Sequence, residues 1–154
     1  MSELESVFGG HRRFEREEDV FEVVGNDWEA SVVVGDEEYR VRVAVPTLDS
    51  VVDGEVGSTV RSGWFETFEL RVGDVGGVTY ADTTAEPVVV QEGEDVVVEV
   101  ELEARDGKSA DDALAAVNYV EGTWFEGIIP GYDYVEDVQE MRERAQQQGG
   151  DTPL

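Results

Sequence analysis

Trp64-Phe65-Glu66 recurs sixty residues later as Trp124-Phe125-Glu126, and this echo constrains the fold more than any other feature of the chain. Each triplet is predicted to close a helical segment, Asp49 to Glu66 and Ser109 to Glu126, with Val60 and Val120 matching at the same offset. Two apolar runs precede each segment. Val32 to Val34, an acidic turn and an alternating strand lead to the first helix; Val88 to Val90, an acidic turn and an alternating strand lead to the second. A ββα unit cannot cover its own apolar face, so two of them are expected to share one. The predicted fold is therefore α+β: a single antiparallel sheet with helices on one face, built from two related ββα units.

The strands are legible by period. Val98, Val100 and Leu102 alternate with Glu99, Glu101 and Glu103, and Tyr39, Val41, Val43 and Val45 alternate with Arg40, Arg42 and Ala44. Such alternation marks strands with one dry and one wet face. Strands are expected at Val20–Val24, Trp28–Val34, Tyr39–Val45, Pro87–Val90 and Val96–Leu102, with a shorter one at Val78–Thr83. Gly25-Asn26-Asp27, Gly35-Asp36-Glu37 and Gln91-Glu92-Gly93-Glu94 carry turn chemistry. Leu4, Val7, Phe8, His11 and Phe14 predict an N-terminal helix weakened by Gly9 and Gly10. Pro46 is expected to stop the third strand, and Ser62-Gly63 to break the following helix, which resumes to about Asp74. Ser109 is read as the N-cap of the next helix. Val135, Val138 and Met141 predict a last helix to about Ala145. Residues 1–148 read as one domain, with 149–154 as a flexible tail.

Charge restricts partners. The chain has 37 acidic and 11 basic residues, a formal net charge of -26, and 40% hydrophobic residues, enough to fold. The acids are spread along the chain without a block of like charge. That distribution fits a cytosol of molar salt, where the screening length falls to roughly 3 Å and self-repulsion is damped. Nucleic acid and anionic membranes are unfavourable partners for such a surface. No window approaches the length of a membrane span and no signal-peptide core is present, which places the expectation in the cytoplasm. Another protein, or a second copy of this chain as a homodimer, is the expected partner.

Catalytic signatures are sparse. Cysteine is absent, which removes thiolate chemistry and disulfides. His11 is the only imidazole and sits beside no nucleophile motif. Asp111-Asp112 and Asp133/Glu136/Asp137 lack the spacing of a calcium loop, and Gly73–Gly77 lacks that of a phosphate cradle. No catalytic residue, metal ligand or cofactor is therefore assigned. Trp64, Phe65, Trp124 and Phe125 are read as structural anchors, because large aromatics on an apolar helical face belong to cores. The loop after the second triplet, with glycines at 122, 127 and 131, supplies the candidate binding residues Tyr132, Asp133 and Tyr134. Two functions remain in view: a non-enzymatic protein-binding or adaptor module, and a small-ligand or enzymatic pocket around residues 127–134.

Val45-Pro-Thr-Leu-Asp-Ser-Val-Val-Asp-Gly-Glu-Val56, Gly63-Trp-Phe-Glu-Thr-Phe68 and Glu121-Gly-Thr-Trp-Phe-Glu-Gly-Ile-Ile-Pro-Gly-Tyr-Asp-Tyr134 resemble a family of small acidic haloarchaeal proteins of unknown function. The resemblance runs from the N-terminal helix to Gln148. It implies a haloarchaeal origin and supplies no catalytic residues. The order of elements also resembles the secretion-chaperone-like α+β architecture, an analogy that carries no function.

Overall fold

The computed structural model describes residues 2–79, 81–83 and 86–150, the last six as backbone. Six strands form one antiparallel sheet: β1 (Phe14–Glu17), β2 (Val20–Val23), β3 (Glu29–Val34), β4 (Glu38–Pro46), β5 (Val88–Glu92) and β6 (Asp95–Glu103). Their order is β1-β2-β3-β4-β6-β5. Around them stand α1 (Glu3–Gly9), α2 (Ser58–Val72), α3 (Ser109–Glu126) and α4 (Glu136–Gly150). The architecture is α+β.

The centre of the sheet is the pairing of β4 with β6. Tyr39 faces Leu102, Val41 faces Val100, Val43 faces Val98 and Val45 faces Val96, and all eight are buried. Alternate positions place Arg40 opposite Glu101 and Arg42 opposite Glu99 on the other face, with ion-pair distances of 3.6 and 3.9 Å. A slip of one residue in either strand would turn its own charged pair, Arg40 and Arg42 or Glu99 and Glu101, into the core, so the alternation fixes the register. Helix α3 covers the dry face over β4, through Ala113, Ala116, Val117, Val120 and Trp124, all fully buried. Helices α1 and α2 pack against α3 in turn. The two hairpins that precede α2 and α3 share one sheet and meet through their second strands, β4 and β6. Their helices are not equivalent: α3 lies on the sheet, and α2 lies beside α3.

Local departures have identifiable causes. The N-terminal helix stops at Gly9, and Phe14 instead opens β1, paired with Val23. Its ring meets Phe8 edge-on at 5.0 Å, so core contact with the sheet wins over helical continuation. The segment after Pro46 is not a helix from Asp49. It makes a 3₁₀ turn at Asp49–Val51, and Val52 then forms a bridge with Tyr134. Gly54, at φ +127°, sits in a conformation that L side chains rarely adopt. Helix α2 begins only at Ser58 and runs without a break through Ser62-Gly63. Trp64-Phe65-Glu66 thus lies mid-helix, whereas Trp124-Phe125-Glu126 ends α3.

The described residues of the expected strand Val78–Thr83 form no strand. A 3₁₀ turn occupies Val75–Val78, Thr83 makes a single bridge to Leu102, and Tyr80 lies outside the described residues. Lys108, not Ser109, holds the N-cap position of α3. The Ser109 hydroxyl is fully buried and turns back to Arg105, accepting from its N–H at 2.9 Å and donating to its carbonyl at 3.1 Å. Arg105 in turn grips the buried Asp112 carboxylate with two bonds of 2.7 Å. Helix α4 extends past Ala145 to Gly150, and 151–154 lie outside the described residues.

Candidate functional site

Position 60 and positions 64, 68 and 71 of α2 fall four, four and three residues apart, which aligns them along one helical face. Val60, Trp64, Phe68 and Arg71 line one wall of a groove with a volume of about 450 Å³. Thr123 and Glu126 from α3 and Gly127–Pro130 from the following loop form the opposite wall. The Trp64 and Phe68 rings stack at 5.5 Å with an interplanar angle of 8°. At the C-terminal end of α2, the Tyr119 hydroxyl donates to the Arg71 carbonyl at 2.9 Å, tying the two helices together.

The two echo tryptophans diverge here. Trp124 is fully buried, and its indole N–H donates to the Pro46 carbonyl at 2.7 Å. Trp64 is 7% exposed, and its indole N–H has no hydrogen-bond partner among the described residues. That nitrogen points to the Gly127 side of the groove: a Cβ on Gly127 would stand 3.2 Å from it. Gly127 has an ordinary negative φ, so what glycine supplies there is room beside Trp64 and not backbone freedom. Phe65 and Phe125 are half-buried and pack against the core cluster.

Tyr132, Asp133 and Tyr134 lie on the far limb of the same loop, and their side chains do not line the groove. Tyr134 is buried and clasps the loop. Its hydroxyl donates to the Ile129 carbonyl at 2.5 Å and accepts from the Ile129 N–H at 3.0 Å. Burial pushes its phenol above the ordinary tyrosine range, and the Arg142 guanidinium sits 5.3 Å over its ring. Asp133 contributes its backbone carbonyl, which accepts from Asp53 N–H at 2.6 Å, and Tyr132 packs half-buried on the core. These residues shape Gly127–Pro130, and the nearer limb meets the groove. Phe68 and Arg71 are not among the candidate site residues of the sequence, because a shared helical face with Trp64 becomes a groove wall only when α3 and residues 127–130 stand opposite it. Their spacing from Trp64, four and seven residues, carries the one signal in the sequence, a common helical face.

A polar knot lies behind the groove. The Glu121 carboxylate accepts from Trp28 N–H at 2.7 Å and from the Asn26 amide at 3.3 Å. Burial, the largest influence, raises its pKa above the ordinary glutamate range in spite of those bonds. The Trp28 ring meets Trp124 edge-on at 5.0 Å, and its own indole nitrogen is buried without a partner. His11 stands apart, 3.9 Å from Asp111, with its Nδ1 accepting from Arg13 N–H at 3.1 Å. A larger hollow of about 660 Å³ at the ends of β4 and β6 is lined by Glu3, Asp36, Glu37, Glu38, Glu103 and Asp106, among others. Among the described residues no three acidic or imidazole side chains converge as metal ligands would.

The sequence profile of a family of unknown function, DUF5813, matches residues 9–144. The chain belongs to DUF5813. No curated protein and no solved structure matches it. In this DUF5813 chain the matched region takes in the whole sheet, the three later helices up to Arg144 and every residue of the groove. No helix among its described residues is long and apolar enough to cross a membrane.

Proposed function

We propose that this DUF5813 chain is a non-enzymatic binding module of a halophilic cytoplasm that engages another protein through the groove between α2 and the 127–130 loop. The observation that carries the reading is the stacked Trp64–Phe68 pair forming a groove wall opposite Ile128, Ile129 and Pro130. Aromatic side chains in concave, largely apolar settings are the usual anchors of protein recognition. The net charge of -26 supports a salt-rich setting and disfavours nucleic acid and anionic lipid as partners.

A second reading has its own observation. The groove volume of about 450 Å³ falls within the ~300–1,000 Å³ typical of small-molecule sites, so a small ligand could fill it.

Gly63 provides the test. It lines the groove, and a Cβ there meets nothing within 4 Å, so Gly63→Leu has room at its Cβ and adds a bulky side chain to the groove wall. Photo-crosslinking in cells at native salt, from a photoreactive residue at position 67, is expected to capture a discrete protein. The same bait carrying Gly63→Leu is expected to lose it. Capture that is indifferent to Gly63→Leu rules out the groove as the binding surface.

A further inference from the structure

The Trp64 indole N–H opens into the groove with no acceptor among the described residues, and the nitrogen itself is not sealed from solvent. Trp64 is more than nine-tenths buried, and its nitrogen faces the side of the groove that Gly127 leaves open. A donor that no side chain or carbonyl of this chain satisfies would go unmet once an occupant displaced the water over it, so the occupant is expected to bring an oxygen acceptor to it. The charge of that acceptor follows from Arg71. In a chain with 37 acids, Arg71 has no carboxylate partner among the described residues, yet it lines this groove two helical turns from Trp64 on the same face. Long helical side chains lean toward the helix N-terminus, which carries the guanidinium back toward Trp64. An indole N–H and an unpaired guanidinium beside an apolar wall together suit a carboxylate attached to an apolar body.

Resting on the reading of the groove as a protein-binding surface, we propose that it receives the free C-terminus of a partner chain: the terminal carboxylate between Trp64 Nε1 and Arg71, and an apolar last side chain against Phe68, Ile128 and Pro130. The groove is open along α3, where clefts lined by Asn118, Tyr119, Gly122 and Thr123 continue from it, so a polypeptide has a path out. Asp74 and Glu126 border that path. They favour a basic residue a few positions before the partner's end. Glu126, on the groove wall opposite Arg71, opposes an anion, and at molar salt beyond roughly 3 Å both its repulsion and the pull of Arg71 are screened, so direct contact with Arg71 is what holds the carboxylate.

The test uses the full chain in molar KCl and the probe acetyl-lysyl-seryl-valyl-leucine, as free acid and as C-terminal amide, with 4-methylpentanoate as a small carboxylate. Binding is read from the Trp64 indole cross-peak in a ¹H–¹⁵N spectrum, assigned by its absence in Trp64→Phe. The free acid is expected to shift that cross-peak and the amide to bind about tenfold or more weakly, the factor set by one charge-assisted hydrogen bond. Arg71→Gln should weaken the free acid by a similar factor and leave the amide unchanged; this surface replacement, checked by circular dichroism, does not put folding at risk. Equal binding of acid and amide overturns the proposal, as does binding of 4-methylpentanoate alone or of no probe. A captured partner that depends on Gly63 but whose C-terminus can be amidated freely sinks this inference and leaves the protein-binding reading standing.

Discussion

Trp64 and Trp124 show how much a side chain's role depends on where its polar atom ends up. Trp124 loses all solvent and gains the Pro46 carbonyl, so Trp124→Ala removes a buried indole and orphans an acceptor. It is expected to cost about 3–5 kcal/mol in chemical unfolding at molar salt. Trp64→Ala should cost clearly less, because one side of that ring faces the groove; equal losses would mean that the groove is closed in solution. Glu121 gives a pH prediction. Its folded-state pKa is raised by burial, so the folded chain holds this proton more tightly than the unfolded chain. Its contribution to stability therefore falls as pH rises from the ordinary glutamate range through the higher folded value. Thermal unfolding measured between about pH 4 and 7 should lose part of that slope in Glu121→Gln, which keeps an acceptor for Trp28 N–H but cannot ionise. An unchanged slope would assign the dependence to the other acids.

At the scale of elements, α2 is held more by its surroundings than by its own sequence. It contains Gly63, and no side chain caps its N-terminus. Gly63→Leu is thus expected to stabilise the fold by about 0.5–1 kcal/mol while blocking the groove, a pairing of effects that separates binding from folding. A drop in melting temperature would show that the groove is narrower than described. The opposite case is the start of α3. Arg105→Ala leaves the Asp112 carboxylate, 4% exposed, without its two bonds, and should cost on the order of 3 kcal/mol by denaturant titration. A loss below about 1 kcal/mol would place water or a neighbour at Asp112.

Across the whole molecule, charge and topology pull in opposite directions. The dry face of the sheet closes under α3, while most of the acids stay on the surface, where they repel one another. Raising KCl from dilute to molar should increase the melting temperature and sharpen the transition, since screening removes repulsion without touching the apolar core. A melting temperature indifferent to salt would sink the halophilic reading.

Period and charge in the sequence determined the α+β class, the five strands from β2 to β6 to within two residues, the extent of α3 and the acidic surface. Those features rest on local alternation, which any folded arrangement must respect, because a mispaired β4 would bury Arg40 and Arg42, and a mispaired β6 Glu99 and Glu101. Tertiary structure alone decided the rest. Phe14 became a strand because Phe8 lay within reach of the sheet, Val52 left the helix to pair with Tyr134, and α2 ran through Gly63 because α3 supported it. The groove belongs to the same class: its walls come from residues 60–71 and 123–130, brought together only when α2 docks on α3. Long-range contacts of that kind leave no periodic trace in the chain, and the difference between two identical Trp-Phe-Glu triplets is written in what each meets after folding.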